Sequence, residues 1–234
     1  MDLSAVNRKR NRFAQSGQGL TEYALLLALV AVVVIAALTL LGDSTALGFK
    51  RTLDGFQGQL QTVYTDLFDE EPLLEWQQIW GRWTIENGRF TSSDRWSKVV
   101  TALPVDDYTF SLDLQTTATR GDNIWDVTRV VFRFADTDNY YAIVPKTDGV
   151  MELAKMQNGQ WHSWLAYANT GADPLQSQNF QVTVEGAHIQ VWQNGQLYID
   201  YTDPNPIPSG GVGVSNDWSE GAMDNVQITV SEQP

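Results

Sequence analysis

The pattern of apolar and polar positions is least interrupted near the N-terminus. Residues 24–41 contain no charged side chain, and Thr39 is the one polar residue among them. These eighteen residues, rising ~1.5 Å each in a helix, would cover most of a hydrocarbon core about 30 Å thick. The tract therefore predicts a membrane-spanning helix, or a helix buried to the same degree in protein.

A helical spacing continues beyond this tract. Apolar residues recur with steps of four and three, as on one face of a helix; they are Phe49, Leu53, Phe56, Leu60, Val63 and Leu67. The spacing predicts one helix over residues 18–68, although Gly55 and Gly58 each cost a helix interior about 1 kcal/mol. We interpret the apolar face as a seam that packs on equivalent helices of other copies, or on the chain's own globular domain.

The period changes to two in the C-terminal part. Phe110, Leu112 and Leu114 alternate with polar residues, as half-buried strands do. Asn-Gly pairs at residues 87–88, 158–159 and 194–195 separate strand-like runs and predict tight hairpins, because both residues tolerate positive φ. Pro72 predicts that the helix ends before it, which makes residues 69–77 a linker. The predicted fold class is α+β, a long N-terminal membrane or filament helix followed by an antiparallel β-sandwich (jelly roll) over residues 78–234.

Charge changes the picture of where these parts lie. The chain has 28 acidic against 15 basic side chains, a net charge of −13, which disfavours a nucleic-acid partner because phosphates repel such a surface. Four basic residues nevertheless precede the apolar tract, namely Arg8, Lys9, Arg10 and Arg12. Positive residues flanking a span stay in the cytoplasm, so the acidic C-terminal part is expected to be exported. The chain has no cysteine, which excludes disulfides and thiol chemistry.

A short motif stands between the basic residues and the tract. It runs from Gly17 and Gln18 to Glu22 and Tyr23, and a carboxylate at the edge of a span needs a partner. The motif resembles the leader of type IV pilins of the Flp (Tad) class. The resemblance implies a leader over residues 1–17, cleavage between Gly17 and Gln18 by a prepilin peptidase, and pairing of Glu22 with the freed amine of a neighbouring subunit. A simple signal anchor is the alternative.

The C-terminal part resembles concanavalin A-like jelly rolls of the laminin-G-like and DUF1080 type. The resemblance is carried by residues 131–134 with 138–141, by residues 180–195, and by residues 210–214 with 224–226. Such domains often hold a structural calcium near the last strand, which implies Asp224 as a ligand, although an aspartate that caps a turn is the alternative. No other cofactor is predicted.

Catalysis is not predicted. Related laminarinase-type glycosidases carry their carboxylates on one strand as E-x-D-x-x-E, and no such run occurs in this sequence. Glu152 stands alone, and His162 and His188 are not paired in sequence, although a triad assembled from distant residues stays open. The sequence therefore predicts a protein that is not an enzyme.

Sugar binding is the remaining chemistry. All nine tryptophans lie beyond residue 75, and most are expected in the core. Trp125 and Trp218 lie in polar segments, so they are the candidate glycan-binding residues, with rim packing as the alternative.

These patterns together predict a structural subunit of a type IV pilus whose lectin-like domain is displayed on the filament. Its partners would be copies of itself in a helical filament, the prepilin peptidase and assembly machinery, the inner membrane before assembly, and surface glycans. The precursor would lie in the cytoplasmic membrane with its N-terminus inside, and the mature subunit in an extracellular pilus. The alternatives are a minor pilin or pseudopilin adhesin of a Tad-like secretion system, and a membrane-anchored glycosidase.

Overall fold

The computed structural model describes residues 49–53, 60–103 and 105–231. These residues form sixteen β-strands and no helix. The strands are β1 (Phe49–Leu53), β2 (Leu60–Asp66), β3 (Trp76–Trp80), β4 (Thr84–Glu86), β5 (Arg89–Ser92), β6 (Trp96–Thr101), β7 (Tyr108–Thr119), β8 (Thr128–Asp136), β9 (Asn139–Pro145), β10 (Val150–Gln157), β11 (Gln160–Asn169), β12 (Gln178–Glu185), β13 (His188–Gln193), β14 (Gln196–Thr202), β15 (Gly211–Asp217) and β16 (Ser219–Ser231).

The strands form two antiparallel sheets. The first sheet, called sheet A, has the order β1-β2-β16-β7-β12-β13-β14, and β5, which also pairs with β4, joins it at β16. The second, sheet B, has the order β11-β10-β9-β8-β15-β6-β3. The long strand β16 pairs with β7 along one side and with both β2 and β5 along the other. The predicted antiparallel jelly-roll sandwich is therefore confirmed.

The main core lies between the two sheets. Alternate residues of β7 and β12 point into it, as the period of two predicted, with Phe110 and Val182 fully buried. Fully burying an aromatic side chain of this kind contributes about 2–3 kcal/mol. Val130 and Phe132 of β8 face the same core, but the register of β8 shifts after Phe132. Phe134 consequently packs on the opposite face of sheet B, although its spacing of two from Phe132 would place it on the same face as that residue.

The helix predicted over residues 18–68 is wrong in its described part. β1 and β2 occupy Phe49–Leu53 and Leu60–Asp66, where the helical seam was expected, and β2 pairs with β16 over six residues. The pairing with β16 satisfies the backbone of this segment, whereas its glycines weakened a helix. Val63 is buried while Leu67 is 46% exposed. Sheet A therefore takes in residues on the N-terminal side of the predicted boundary at residue 78.

Several predictions concern residues outside the described ranges. These are the leader over residues 1–17, Gln18, Glu22, Tyr23, the apolar tract 24–41 and Phe56. Within the described ranges, no helix has the length and apolar character needed to cross a membrane. The membrane and leader assignments therefore remain predictions.

The predicted hairpins are present. Asn87, Asn158 and Asn194 have φ angles of 53°, 53° and 51°, and the glycine after each also has positive φ. These pairs connect β4 to β5, β10 to β11 and β13 to β14. Two consecutive residues with positive φ define the turn that matches the twist of the flanking strands.

A smaller apolar cluster covers the outer face of sheet B, the face turned away from the main core. It is built from Val100, Val131, Ala142 and their neighbours, all buried. Gly213 lies between Val100 and Val131 in register. A glycine at this position lets the backbone of Val99 approach closely.

We expect Gly213→Ala to destabilise the domain by about 3 kcal/mol, because the new methyl group has no space. A Cβ at this position would lie 2.0 Å from the backbone oxygen of Val99. The measurement is the free energy of unfolding in denaturant. Gly186→Ala is the matched control: its turn has open space but a φ of 55°, so it should cost only about 1 kcal/mol. Equal costs for the two variants would contradict this packing.

Candidate functional site

An open groove crosses the outer face of sheet B. Its volume is about 400 Å³. Each of the seven strands of the sheet contributes a lining side chain: Trp80 from β3, Lys98 from β6, Asp217 from β15, Arg129 from β8, Tyr140 from β9, Met156 from β10 and Trp161 from β11. Trp96 and Trp125 complete its walls. The groove therefore exists only where the whole sheet is assembled.

Four tryptophan rings of the groove are open to solvent. Trp80, Trp96, Trp125 and Trp161 are 47%, 52%, 47% and 38% exposed. Several large apolar side chains exposed side by side mark a binding site, whereas single exposed apolar residues are common on any protein surface. Flat ring faces beside polar groups suit a ligand that has both apolar faces and hydroxyl groups, as a sugar does.

The loop that carries Trp125 is held by Asp126. The buried carboxylate of Asp126 accepts a hydrogen bond of 2.8 Å from the backbone N–H of Asn123. The guanidinium of Arg129 donates to the backbone oxygen of Trp125 at 3.0 Å. These bonds hold the loop that carries Trp125 against the first residues of β8.

Charged side chains occupy the floor of the groove. Arg129 forms an ion pair with Asp217, and its guanidinium lies 5.5 Å from the centre of the Trp161 ring. The Nζ of Lys98 lies 3.5 Å from the centre of the Tyr140 ring and 4.7 Å from that of Trp80. Within the described part of the chain, this buried Nζ has no hydrogen-bond partner.

Burial changes the acidity of these groups. It lowers the pKa of Lys98 to about 7, with the nearby Arg129 charge adding to the fall and Asp217 opposing it. The ring faces around Nζ also oppose the fall, because they stabilise the ammonium form. Burial raises the pKa of Asp217 above its usual range, although Arg129 opposes that shift. A carboxylate of raised pKa beside cationic groups suits proton transfer near neutral pH.

The two predicted glycan-binding residues occupy different positions. Trp125 lines the groove. Trp218 lies between β15 and β16 and packs edge-on against Trp96, with ring centres 5.9 Å apart. Arg95 covers the Trp218 ring at 4.9 Å. Trp218 therefore supports the groove wall through Trp96 rather than lining the groove.

Asp224 lies on β16 of sheet A, whereas the groove lies on sheet B. It is opposite Asp113 in the ladder with β7, and its carboxylate accepts the N–H of Asn225 at 2.7 Å. Among the described residues, no group of three or more His, Cys, Asp or Glu side chains could hold a metal ion. Calcium binding at Asp224 remains a prediction.

The other titratable residues weighed in the sequence are engaged elsewhere. Glu152 forms a buried ion pair with Lys146. His188 pairs with Asp200 at 2.7 Å on the exposed side of sheet A, and His162 lies on β11. Sequence reasoning missed Lys98, Arg129 and Asp217, because it looked for carboxylates on one strand. The signal was present as a charged residue close to a tryptophan in Trp96-Ser97-Lys98 and in Asp217-Trp218.

Comparison with known proteins identifies a family for this architecture. A family model described as a 3-keto-alpha-glucoside-1,2-lyase-like domain matches residues 63–229. A search of curated protein sequences finds no match.

Solved structures share the fold. The carbohydrate-binding module CBM66 from Bacillus subtilis superposes with a TM-score of 0.55 at 22% identity, covering 65% of this chain and 94% of that one. A Bacillus licheniformis beta-glucanase gives 0.53 at 14% identity, covering 72% and 97%. A Bacillus subtilis protein with a galectin-like fold gives 0.55 at 9% identity, covering 80% and 100%. At these identities the likeness shows the jelly-roll fold alone.

The prediction that the protein is not an enzyme is contradicted by the match to a lyase-like family. The sequence argument rested on the missing carboxylate run on one strand. The groove instead gathers its titratable groups from three neighbouring strands, with Lys98 and Arg129 each opposite Ser215 of β15. Such a group has no spacing that a sequence motif could reveal.

The buried Lys98 predicts a pH-dependent stability. Its pKa of about 7 in the folded chain lies below the ordinary 10.5, so the unfolded chain binds more protons between these values and stability rises with pH. We expect the free energy of unfolding of the native chain, relative to Lys98→Met, to increase from pH 7 towards pH 9.5 by up to about 1.4 kcal/mol per pH unit. Parallel pH curves for the two proteins would contradict this.

Proposed function

The chain belongs to the 3-keto-alpha-glucoside-1,2-lyase-like domain family, and we propose that its jelly roll binds a 3-keto glycoside in the sheet B groove and cleaves it by elimination. One observation carries the proposal: exposed tryptophan rings surround the Asp217–Arg129 pair and the unpartnered Lys98 amine. The rings suit the faces of a sugar, and the charged groups suit the movement of a proton.

The proposed elimination needs no reactant other than the 3-keto glycoside. A keto group at C3 of the sugar makes the C2 hydrogen acidic. A base removes that proton, and the electron pair moves into an enolate that extends to the C3 oxygen. The enolate then forms the C1–C2 double bond as the bond from C1 to the glycosidic oxygen breaks. The departing oxygen takes up a proton, so that no oxidant, reductant or water molecule is consumed.

Asp217 is the base in this proposal. Its side chain is 20% exposed, so it reaches the open groove, whereas the Lys98 side chain is buried beneath the rings. The raised pKa of Asp217 makes its carboxylate a stronger base than an ordinary aspartate. A base whose pKa lies closer to the working pH transfers protons more effectively.

Lys98 and Arg129 stabilise the negative charge that develops on the substrate. The enolate oxygen carries this charge, and preorganised cations in a partly dehydrated groove act more strongly on it than they would in water. Lys98 serves this role as the ammonium, which the rings of Tyr140 and Trp80 favour. Its Nζ is buried beneath these rings, so it acts on the substrate through its charge rather than through a direct hydrogen bond.

We expect Asp217→Asn to lower kcat on methyl 3-keto-α-glucoside by about a thousandfold, because the amide cannot accept the C2 proton. KM should change little, since the rings that bind the sugar are retained. The measurement is the ultraviolet absorbance of the conjugated product, with the full chain in detergent.

Asp200→Asn is the matched control for this experiment. It makes the same chemical change on the exposed side of sheet A, where Asp200 contacts His188, and should leave the rate unchanged. If Asp217→Asn has the same kcat as the native chain, Asp217 is not the base. The absence of any turnover by the native chain would refute the lyase function.

The N-terminal motif supports a second proposal, which concerns delivery rather than chemistry. We propose that residues 1–17 are removed after Gly17, that the tract 24–41 first lies in the cytoplasmic membrane, and that Glu22 then docks copies into a Flp-like filament that displays the domain outside the cell. The order of basic leader, glycine, Glu22-Tyr23 and apolar tract supports this. A minor pilin of a secretion system is the variant of this proposal with fewer copies per filament.

We expect mass spectrometry of the protein from cells to find Gln18 as its N-terminal residue. Glu22→Ala should leave cleavage intact and reduce the amount of protein in sheared filaments, because the freed amine loses its partner. Glu71→Ala, a loss of charge at an exposed position, is the control. An intact Met1 would contradict the leader, and normal filaments from Glu22→Ala would contradict the docking role.

A further inference from the structure

Two aromatic rings stand outside the groove on the edge strand β11. Trp164 and Tyr167 are 52% and 66% exposed. Their ring centres lie 5.2 Å apart and their planes are nearly perpendicular, at 88°. Exposure of two large rings in contact with each other needs a reason that single exposed side chains do not.

The backbone beneath Trp164 is strained. The register between β10 and β11 shifts near this point, after Leu153, and Trp164 has a φ of 59°. A tryptophan seldom adopts this left-handed region, because its Cβ crowds the following carbonyl. Glu152 holds the strained residue, since its carboxylate accepts the N–H of Trp164 at 2.7 Å. Strain that neighbours maintain in this way is concentrated at functional sites.

A buried ion pair orients the Trp164 ring. The Nζ of Lys146 lies 3.6 Å from the centre of the ring, and the same amine pairs with Glu152. Lys146 and Glu152 are only 3% and 4% exposed. Lys146 therefore covers one face of the ring, and the ring presents its remaining surface to solvent in a fixed orientation.

This pair of rings lies on the same face of the sheet as the groove. Tyr167 is opposite Glu152 on β10, and Glu152 is opposite Val144 on β9, which belongs to the outer-face cluster. Trp161 of the groove is on the same strand, three residues before Trp164, which corresponds to about 10 Å of extended chain. A ligand that leaves the groove past Trp161 would meet Trp164 next.

We propose that Trp164 and Tyr167 form a second sugar subsite, so that the substrate is an extended neutral glycan whose 3-keto sugar lies in the groove, rather than a small glycoside. The inference rests on the proposed function of the groove, because it takes the groove as the first subsite. An uncharged glycan fits because the Lys146 charge beneath the ring is already neutralised by Glu152. The chain's net charge of −13 disfavours an acidic polymer.

The test measures binding of neutral glucose oligosaccharides to the full chain in detergent. The probes run from disaccharide to hexasaccharide in α-1,4, β-1,3 and β-1,4 linkage, and the method is isothermal titration calorimetry. The native chain should bind longer oligosaccharides more tightly. Trp164→Ala should weaken binding of the hexasaccharide about tenfold and leave disaccharide binding unchanged, because a buried tryptophan contact carries at least this much affinity.

Two further variants separate the possible outcomes. Trp96→Ala in the groove should weaken binding at every length, whereas Leu197→Ala, an exposed side chain on edge strand β14 of the other sheet, should have no effect. If Trp96→Ala weakens binding and Trp164→Ala does not, the second subsite is refuted while the groove stands. If the native chain binds none of the probes, the second subsite is refuted, whereas the lyase function of the groove is decided separately by turnover of methyl 3-keto-α-glucoside.

The strain at Trp164 gives a readout that is independent of binding. Trp164→Gly and Trp164→Ala both remove the ring, but glycine adopts a φ of 59° without the crowding that alanine suffers. The glycine variant should therefore melt at a higher temperature than the alanine variant while binding the hexasaccharide equally weakly. Association of native chains through these rings, detected by sedimentation and lost in both variants without a change in glycan binding, would instead assign the surface to a second copy of the chain.

Discussion

The register of sheet B is the constraint on which the candidate site depends. Seven strands must pair in one alignment for Lys98, Arg129, Asp217 and the three tryptophans on strands, Trp80, Trp96 and Trp161, to share a face. A slip of one residue in any strand would turn its contribution into the main core. Gly213 fits this alignment because the lack of a side chain lets the backbone of Val99 approach closely.

Burial of charged side chains in the groove lowers the stability of the fold and holds these groups in place for a reaction. Lys98 is buried without a hydrogen-bond partner among the described residues, and its lowered pKa is the thermodynamic sign of that cost. The main core between the sheets offsets the cost with large buried side chains. A folded scaffold can therefore hold an ammonium, a guanidinium and a carboxylate in a geometry that water alone would not permit. Trp164 carries a comparable cost, because its backbone is strained and is held by contacts with Glu152 and Lys146.

Trp164 and Tyr167 add a second exposed aromatic surface to the outer face of sheet B, beside the groove. With the groove alone, sheet B would present one compact pocket. With Trp164 and Tyr167 on the edge strand, the outer face carries exposed rings on both edge strands, from Trp80 on β3 to Tyr167 on β11. A long row of aromatic rings suits a polymeric ligand, because each added sugar unit can contact a further ring.

Local patterning by itself determined the sandwich. Alternation of apolar residues at positions such as Phe110 and Leu112, and the Asn-Gly turns, depend only on strand period and backbone sterics, and both were read correctly from the sequence. The helical spacing of Phe49 to Leu67 was misleading, because pairing with β16, more than 150 residues away, decides the state of β2. Tertiary structure alone assembled the groove, since Lys98, Arg129 and Asp217 come from strands that are neighbours in space but not in sequence. It also decided which tryptophans are exposed, because both faces of sheet B are apolar and the period of a strand cannot tell a core from a binding face.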